Sequence, residues 1–175
     1  MAEEHQSQFD RLVLGESSDP LTLESSDENR EVALKLVQQA TRTLVIAGQT
    51  LDAALYNNNE FCDAVAKLAA HSKYSHIRML LQDSTSLVRD GHCLLHLTRR
   101  LTSFMEIRKF SKEYKNFNQT FLIIDGSGYI KRKNADRYDA VANFNDPLTA
   151  REMIKAFQEM WDESETDPQL RSLHI

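Results

Sequence analysis

A chain of 175 residues, 41% of them apolar and with a formal charge of −5, is sized for one domain with its own core. No apolar run approaches the roughly 18 residues that would span a bilayer, and the acidic N-terminus lacks the apolar stretch of a secretory signal. A soluble, cytoplasmic protein with no membrane partner is the expectation.

Residues 1–24 show weak periodicity and end in a Ser/Asp/Pro and Thr/Ser/Glu-rich stretch, so they read as an acidic, partly flexible arm. Phe9, Leu12, Val13 and Leu14 are its docking candidates. A domain over 25–165 follows. Ser25 and Glu28 form a capping-box signature, and Val32, Ala33, Leu36, Val37 and Ala40 recur at helical spacing, giving a helix to about Thr41. "TLVIAG" (43–48) reads as a buried strand. Asn58 or Asn59 caps a second helix with Phe61, Val65, Leu68 and Ala69 on one face. "HIRMLLQD" (76–83) is a second strand. Residues 84–102 read as one helix that Gly91 weakens in the middle. Cys62 and Cys93 both fall in helical patterns and read as buried thiols of a reducing compartment, a disulfide framework being unlikely.

"FMEIRKF" (104–110) alternates as a half-exposed strand should. "QTFLIIDG" (119–126) is a central strand, "YIKRK" (129–133) its hairpin partner, and "YDAVANF" (138–144) another strand. Asp146 caps and Pro147 starts a last helix, whose face is Ala150, Met153, Ile154, Phe157 and Trp161. Residues 166–175 form a tail in which Leu170, Leu173 and Ile175 fall at mixed spacing. The order predicts a mixed β-sheet flanked by helices, an α/β or α+β fold.

The charge is uneven. Residues 1–31 carry nine acids against two bases, whereas residues 99–137 carry ten bases against four acids. A basic segment in an acidic chain either binds an anion or complements the chain's own acidic parts. Lys131, Arg132, Lys133 and Arg137 are the leading anion or partner contacts. On a strand, 131 and 133 share a face and 132 takes the other. Their plainer reading is a solvated edge hairpin, where lysines discourage edge pairing. Arg99 and Arg100 could line a cleft at the sheet's edge. His92 and His96 stand four apart, the spacing of a two-histidine metal pair, but no glutamate lies between them and no third ligand is evident. A helix surface carrying two histidines is the preferred reading, and no metal or cofactor is expected.

The stretch "NFNQTFLIIDGSGYIKRKN" (116–134) resembles the phospholipase D superfamily, and the likeness covers residues 27–165. The superfamily signature is His-x-Lys-x4-Asp on a strand, then a glycine, a hairpin, a Gly-Ser-x-Asn segment and a closing helix. Here Asp125 and Gly126 match the Asp and glycine, "ANFNDPLTAREMIKAFQEMWDES" matches the closing helix, and Asp139 stands near a position that is often acidic. Counting back from Asp125 puts Asn118 at the family histidine and Thr120 at its lysine, while "KRKN" (131–134) occupies the Gly-Ser-x-Asn region. The chain is most similar to a small bacterial family of such domains.

The resemblance implies a half-domain that pairs as a homodimer. In the superfamily a histidine attacks phosphorus, a second protonates the leaving group, and the lysine balances phosphate charge. An amide such as Asn118 can do neither proton transfer nor attack, so the expected function is a catalytically inactive domain that binds a protein or a phosphate-bearing molecule. The rivals are a nucleic-acid-binding module using the 99–137 segment, with Tyr114, Phe117, Tyr129 and Tyr138 nearby, and a cryptic phosphodiesterase or nuclease using His92 or His96 with Asp125.

Overall fold

The computed structural model describes residues 7–171. In chain order the elements are β1 (Leu21–Leu23), α1 (Ser26–Gln39), β2 (Thr43–Gly48), α2 (Ala53–Tyr56), α3 (Asn59–His71), β3 (His76–Leu81), α4 (Thr85–Asp90), α5 (Cys93–Arg100), β4 (Met105–Lys109), β5 (Thr120–Ile124), β6 (Gly128–Arg132), β7 (Ala140–Asn143) and α6 (Pro147–Asp162). The seven strands form one sheet in the order β1-β7-β6-β5-β2-β3-β4. β2, β3 and β4 are parallel, and every pairing on the other side of β2 is antiparallel. The fold is α/β with a mixed sheet.

Side-chain alternation along the central strands builds two cores. Leu44, Ile46, Leu122, Ile124 and Ile130 face one layer with α1, α3 and α5, together with Leu36, Phe61 and Leu68. Val45, Ala47, Phe121, Ile123 and Tyr129 face α6, where Phe157 and Trp161 stack 5.6 Å apart. The helix starts follow their caps: Ser25 Oγ accepts from Glu28 N–H, Asn58 Oδ1 from Phe61 N–H and Asp146 Oδ1 from Thr149 N–H, each satisfying an otherwise orphaned donor.

Three expectations need correction. The segment over 84–102 is two helices. Gly91 takes the left-handed conformation (φ 69°) that ends α4, a geometry glycine adopts without steric cost, and His92 caps α5. Second, the first 24 residues are docked at several points where they are described, although Val13, one of the docking candidates, is exposed. Phe9 and Leu23 are buried, Leu21–Leu23 pairs with β7, and Gly15 N–H donates to Phe144 O at 2.8 Å. A Cβ on Gly128 would collide with Leu14 and Leu36, so that glycine lets the segment lie on the sheet. An irregular stretch held by tertiary bonds has no period to read. Residues 166–171 are also docked, Lys109 and Glu165 exchanging backbone bonds at 2.9 Å and Leu170 packing on the core. Residues 1–6, and Leu173 and Ile175 of the tail, lie outside the described residues.

Third, Cys62 and Cys93 form a disulfide. Cys62 lies in the first turn of α3 and Cys93 opens α5. The two helices pack side by side, a neighbourhood that a sequence separation of 31 does not reveal. Among the described residues no helix is long and apolar enough to cross a membrane.

Candidate functional site

β2, β3 and β4 end, and β5 begins, at one edge of the sheet, and the turn leading into β5 carries Asn118. This side chain is exposed. Its Oδ1 accepts from Gln49 Nε2 at 2.9 Å and its Nδ2 donates to Asn134 Oδ1 at 3.4 Å, so both ends of the amide are used. Thr120, two residues on, is buried, and its hydroxyl donates to Ala47 O at 2.9 Å. Gly48 lies against it so closely that a Cβ there would collide with Thr120 Oγ1. Behind Thr120, the void lined by Asn29, Tyr56, Ile130 and Arg132 is only ≈ 10 Å³, room for about one water and too little for a phosphate. Among the described residues, the N-terminal segment touches Gly128 and bonds Phe144, at the end of β6 far from Asn118.

Asp125 stands at that far end. From Asn118 it is seven residues along an extended strand, roughly 23 Å. It has φ 53°, the one non-glycine in the left-handed region among the described residues. Its carboxylate accepts from the backbone N–H groups of Thr41, Arg42 and Thr43 at 2.8, 2.8 and 2.9 Å. These bonds tie the turn after β5 to the turn before β2. Asp125 therefore holds the fold and takes no part in the site at the Asn118 edge. The rival pairing of His92 or His96 with Asp125 is not among the hydrogen bonds of the described residues, where the carboxylate is taken by backbone N–H groups and the Thr41 hydroxyl.

Arg132 departs from the solvated reading. It is paired directly with Thr120 across β5 and β6 and is buried. Its Nη1 donates to Arg137 O at 3.2 Å and lies 4.0 Å from Asp52 Oδ2, and its guanidinium sits 5.1 Å from the centre of the Tyr138 ring. Asp52, which caps α2, also accepts from Tyr138 Oη at 2.9 Å. A cation thus lies in the same layer as Thr120, carried by the neighbouring strand. It is engaged internally by Asp52, so it is not an open anion contact. Asp52 and Gln49 escaped the sequence reading, although an Asp before Ala-Ala-Leu-Tyr is an N-cap signal. Burial pushes the nearby Tyr56 phenol up to about 12.

His92 and His96 do not share a helix face. His92 is the cap, outside the helix proper and buried, with Nδ1 accepting from Leu94 N–H at 3.1 Å and Nε2 unpartnered. Burial pushes its pKa down to about 4, against the pull of the Asp52 carboxylate. His96 is exposed. Arg99 and Arg100 end α5 beside the start of β4, at the opposite end of the sheet from Asn118. Among the described residues no three metal-ligating side chains converge.

The remaining cations do come together. Lys131, Lys133 and Arg137 line a groove of ≈ 410 Å³ with Asn134, Asp139 and a floor of Ala140 and Val141. Arg137 pairs with Asp139 at 2.7 Å. β6 lies between β5 and β7, so these lysines do not guard a sheet edge. Lys131 instead sits cross-strand from Val141, which is 44% exposed. The groove is on the α6 side of the sheet, the face opposite Thr120 and Arg132, and Asn134 joins its end to the Asn118 edge.

Residues 25–173 match the family described as "Domain of unknown function (DUF7931)". The chain belongs to that family. No curated protein matches it. Solved structures that share the fold include Nuc from Salmonella typhimurium, a phospholipase D family member (15% identity, TM-score 0.57, covering 84% of this chain and 97% of Nuc). NucT from Helicobacter pylori aligns at 11% identity and TM-score 0.63, over 85% of this chain and 99% of NucT. TrmBL2, an archaeal chromatin protein whose structure shows a novel mode of DNA binding, aligns at 14% identity and TM-score 0.63. That match covers 85% of this chain but 54% of TrmBL2, so the chain spans about half the length of that protein. The fold of this DUF7931 chain is phospholipase D-like.

Proposed function

We propose that this chain is a catalytically inactive phospholipase D-like domain that works by binding a phosphate-bearing or protein partner. One observation carries the reading. At the start of β5, where the resembling motif has its histidine and lysine, stand Asn118, bonded to Gln49 and Asn134, and Thr120, bonded to Ala47 O. The amide can neither attack phosphorus nor move a proton near neutral pH, and the Thr120 hydroxyl is buried and spends its proton on a backbone carbonyl instead of a base that would activate it. Among the described residues, no histidine hydrogen-bonds Asn118, Thr120 or Arg132. Losing a nucleophile costs on the order of 10⁴ to 10⁶ in rate in enzymes where it has been measured. The purified chain, assayed on bis-p-nitrophenyl phosphate and related diesters, is expected to give no turnover above buffer. Turnover that disappears in His92→Ala would overturn the reading. Pairing of two copies and a cytoplasmic location belong to the same proposal, and sedimentation of the purified chain tests the first.

The groove of Lys131, Lys133 and Arg137 supports a second reading, a nucleic-acid contact. Lysines on the open face of an interior strand, with no acidic partner on either Lys131 or Lys133 among the described ion pairs, suit a phosphodiester backbone. The test is filter binding of single-stranded RNA and duplex DNA over a salt series. Affinity is expected to fall steeply with salt, and Lys131→Ala with Lys133→Ala is expected to reduce the slope by about one to two. Binding that is absent or indifferent to salt ends this reading.

A further inference from the structure

We propose that Cys62 and Cys93 form a reversible thiol–disulfide exchange site, with Cys93 as the entering sulfur and Cys62 as the resolving one. The two residues differ in ways that assign these roles. Cys93 is partly exposed and is the first residue of an eight-residue helix, whereas Cys62 is 7% exposed and packed in the core. Both sulfurs stand in the first turn of a helix, which stabilises the thiolate that attacks disulfides, so it is access that separates them. An accessible cysteine joined to a buried one is the asymmetry that directs exchange to one sulfur.

The reaction balances with a dithiol as reductant. A thiolate of the dithiol attacks Cys93 Sγ, the Cys62–Cys93 bond breaks, and Cys62 leaves as a thiolate that takes up a proton. The second thiol of the reductant then attacks the mixed disulfide and releases Cys93. Two electrons pass to the protein, the reductant ends as its own disulfide, and its two protons end on the two cysteines. Oxidation by a small disulfide runs the same steps backwards, Cys93 first.

The pair is placed to affect the Asn118 side of the domain. Cys93 N–H donates to Asn57 Oδ1 at 3.0 Å. Asn57 closes α2, and Asp52 opens it. Asp52 in turn holds Tyr138 and faces Arg132, the cross-strand partner of Thr120. The bond therefore clamps α5 to α3, and through Asn57 it clamps α2, whose cap sets the buried cation beside the degenerate motif. Opening it removes a cross-link spanning 31 residues and is expected to loosen α2 and α5 while leaving β5 and α6 unchanged.

The test uses the full chain purified without reductant. Thiol titration in denaturant is expected to find no free thiols, then two after dithiothreitol treatment, and none again after oxidised glutathione. In the reduced protein, limiting iodoacetamide is expected to label Cys93 at least tenfold faster than Cys62. Reduction is expected to lower the thermal midpoint by several degrees and to speed amide exchange at 52–58 and 91–96. Cys93→Ser is expected to match the reduced protein and to show no response to dithiothreitol. Two thiols that persist in oxidised glutathione overturn the proposal. So does faster labelling of Cys62, or reduction that leaves both midpoint and exchange unchanged. Should Cys93→Ser not fold, the thiol counts and labelling rates of the unaltered chain decide alone.

Discussion

The two ends of β5 are built differently. At the Asp125 end the carboxylate accepts from three backbone N–H groups of another turn and ties two turns of the fold together. At the Asn118 end stand an exposed amide, bonded to the side chains of Gln49 and Asn134, and a buried hydroxyl, bonded to Ala47 O. A side chain that bonds backbone fixes where segments of the chain run, whereas one that bonds other side chains at the surface fixes little beyond itself.

The contrast is sharpest in stability. Asp125→Ala removes the charged acceptor of three backbone N–H groups, the one on Thr43 half-buried, and is expected to cost about 1.5–3 kcal/mol in urea unfolding, against under about 1 kcal/mol for Asn118→Ala. Equal costs would break the division. Next comes the packing around Thr120. Gly48→Ala forces a Cβ into Thr120 Oγ1 and is expected to cost about 1–3 kcal/mol, and Thr120→Ala in the same chain should recover much of it. Additive effects in that double-mutant cycle would refute the contact.

An effect of similar size, spread over more than two pH units, comes from pH. His92 is buried neutral, its pKa pushed from 6.5 to about 4, so between those values the unfolded chain binds the extra proton. Stability is therefore full above about pH 6.5 and falls as pH drops towards 4, by at most about 1.4 kcal/mol per pH unit. His92→Gln should flatten that part of the urea-midpoint profile. Smallest of all, Lys133→Ala is expected to change stability by less than about 0.5 kcal/mol, because its side chain is exposed and unpaired among the described ion pairs.

Much of the fold could be read directly from the sequence. The β2 and β3 runs, the caps Ser25, Asn58 and Asp146, and the Pro147 start all stand where local pattern puts them. The alternation of 131 to 133 also correctly sent Arg132 to the opposite face from its neighbours. Other features had no local signature. Leu21–Leu23 is a strand only because β7 offers it a partner. Arg132 is buried because Asp52 and Tyr138, more than eighty residues apart, meet over it. His92 and His96 share a spacing but not an environment, since Gly91 ends α4 and leaves His92 as the buried cap of α5, while His96 lies within that helix and is exposed.

The order of residues by itself determined the long helices α1, α3 and α6, the central strands and the presence of Asn118 and Thr120 before Asp125, because caps, periodicity and residue chemistry act over a few positions. Only the tertiary structure decided that β6 is interior, that Asp125 lies a strand's length from Asn118, and that the two cysteines meet. Those facts depend on which distant segments pack together, and pairing energies between strands and helices are not written in any single window of the chain.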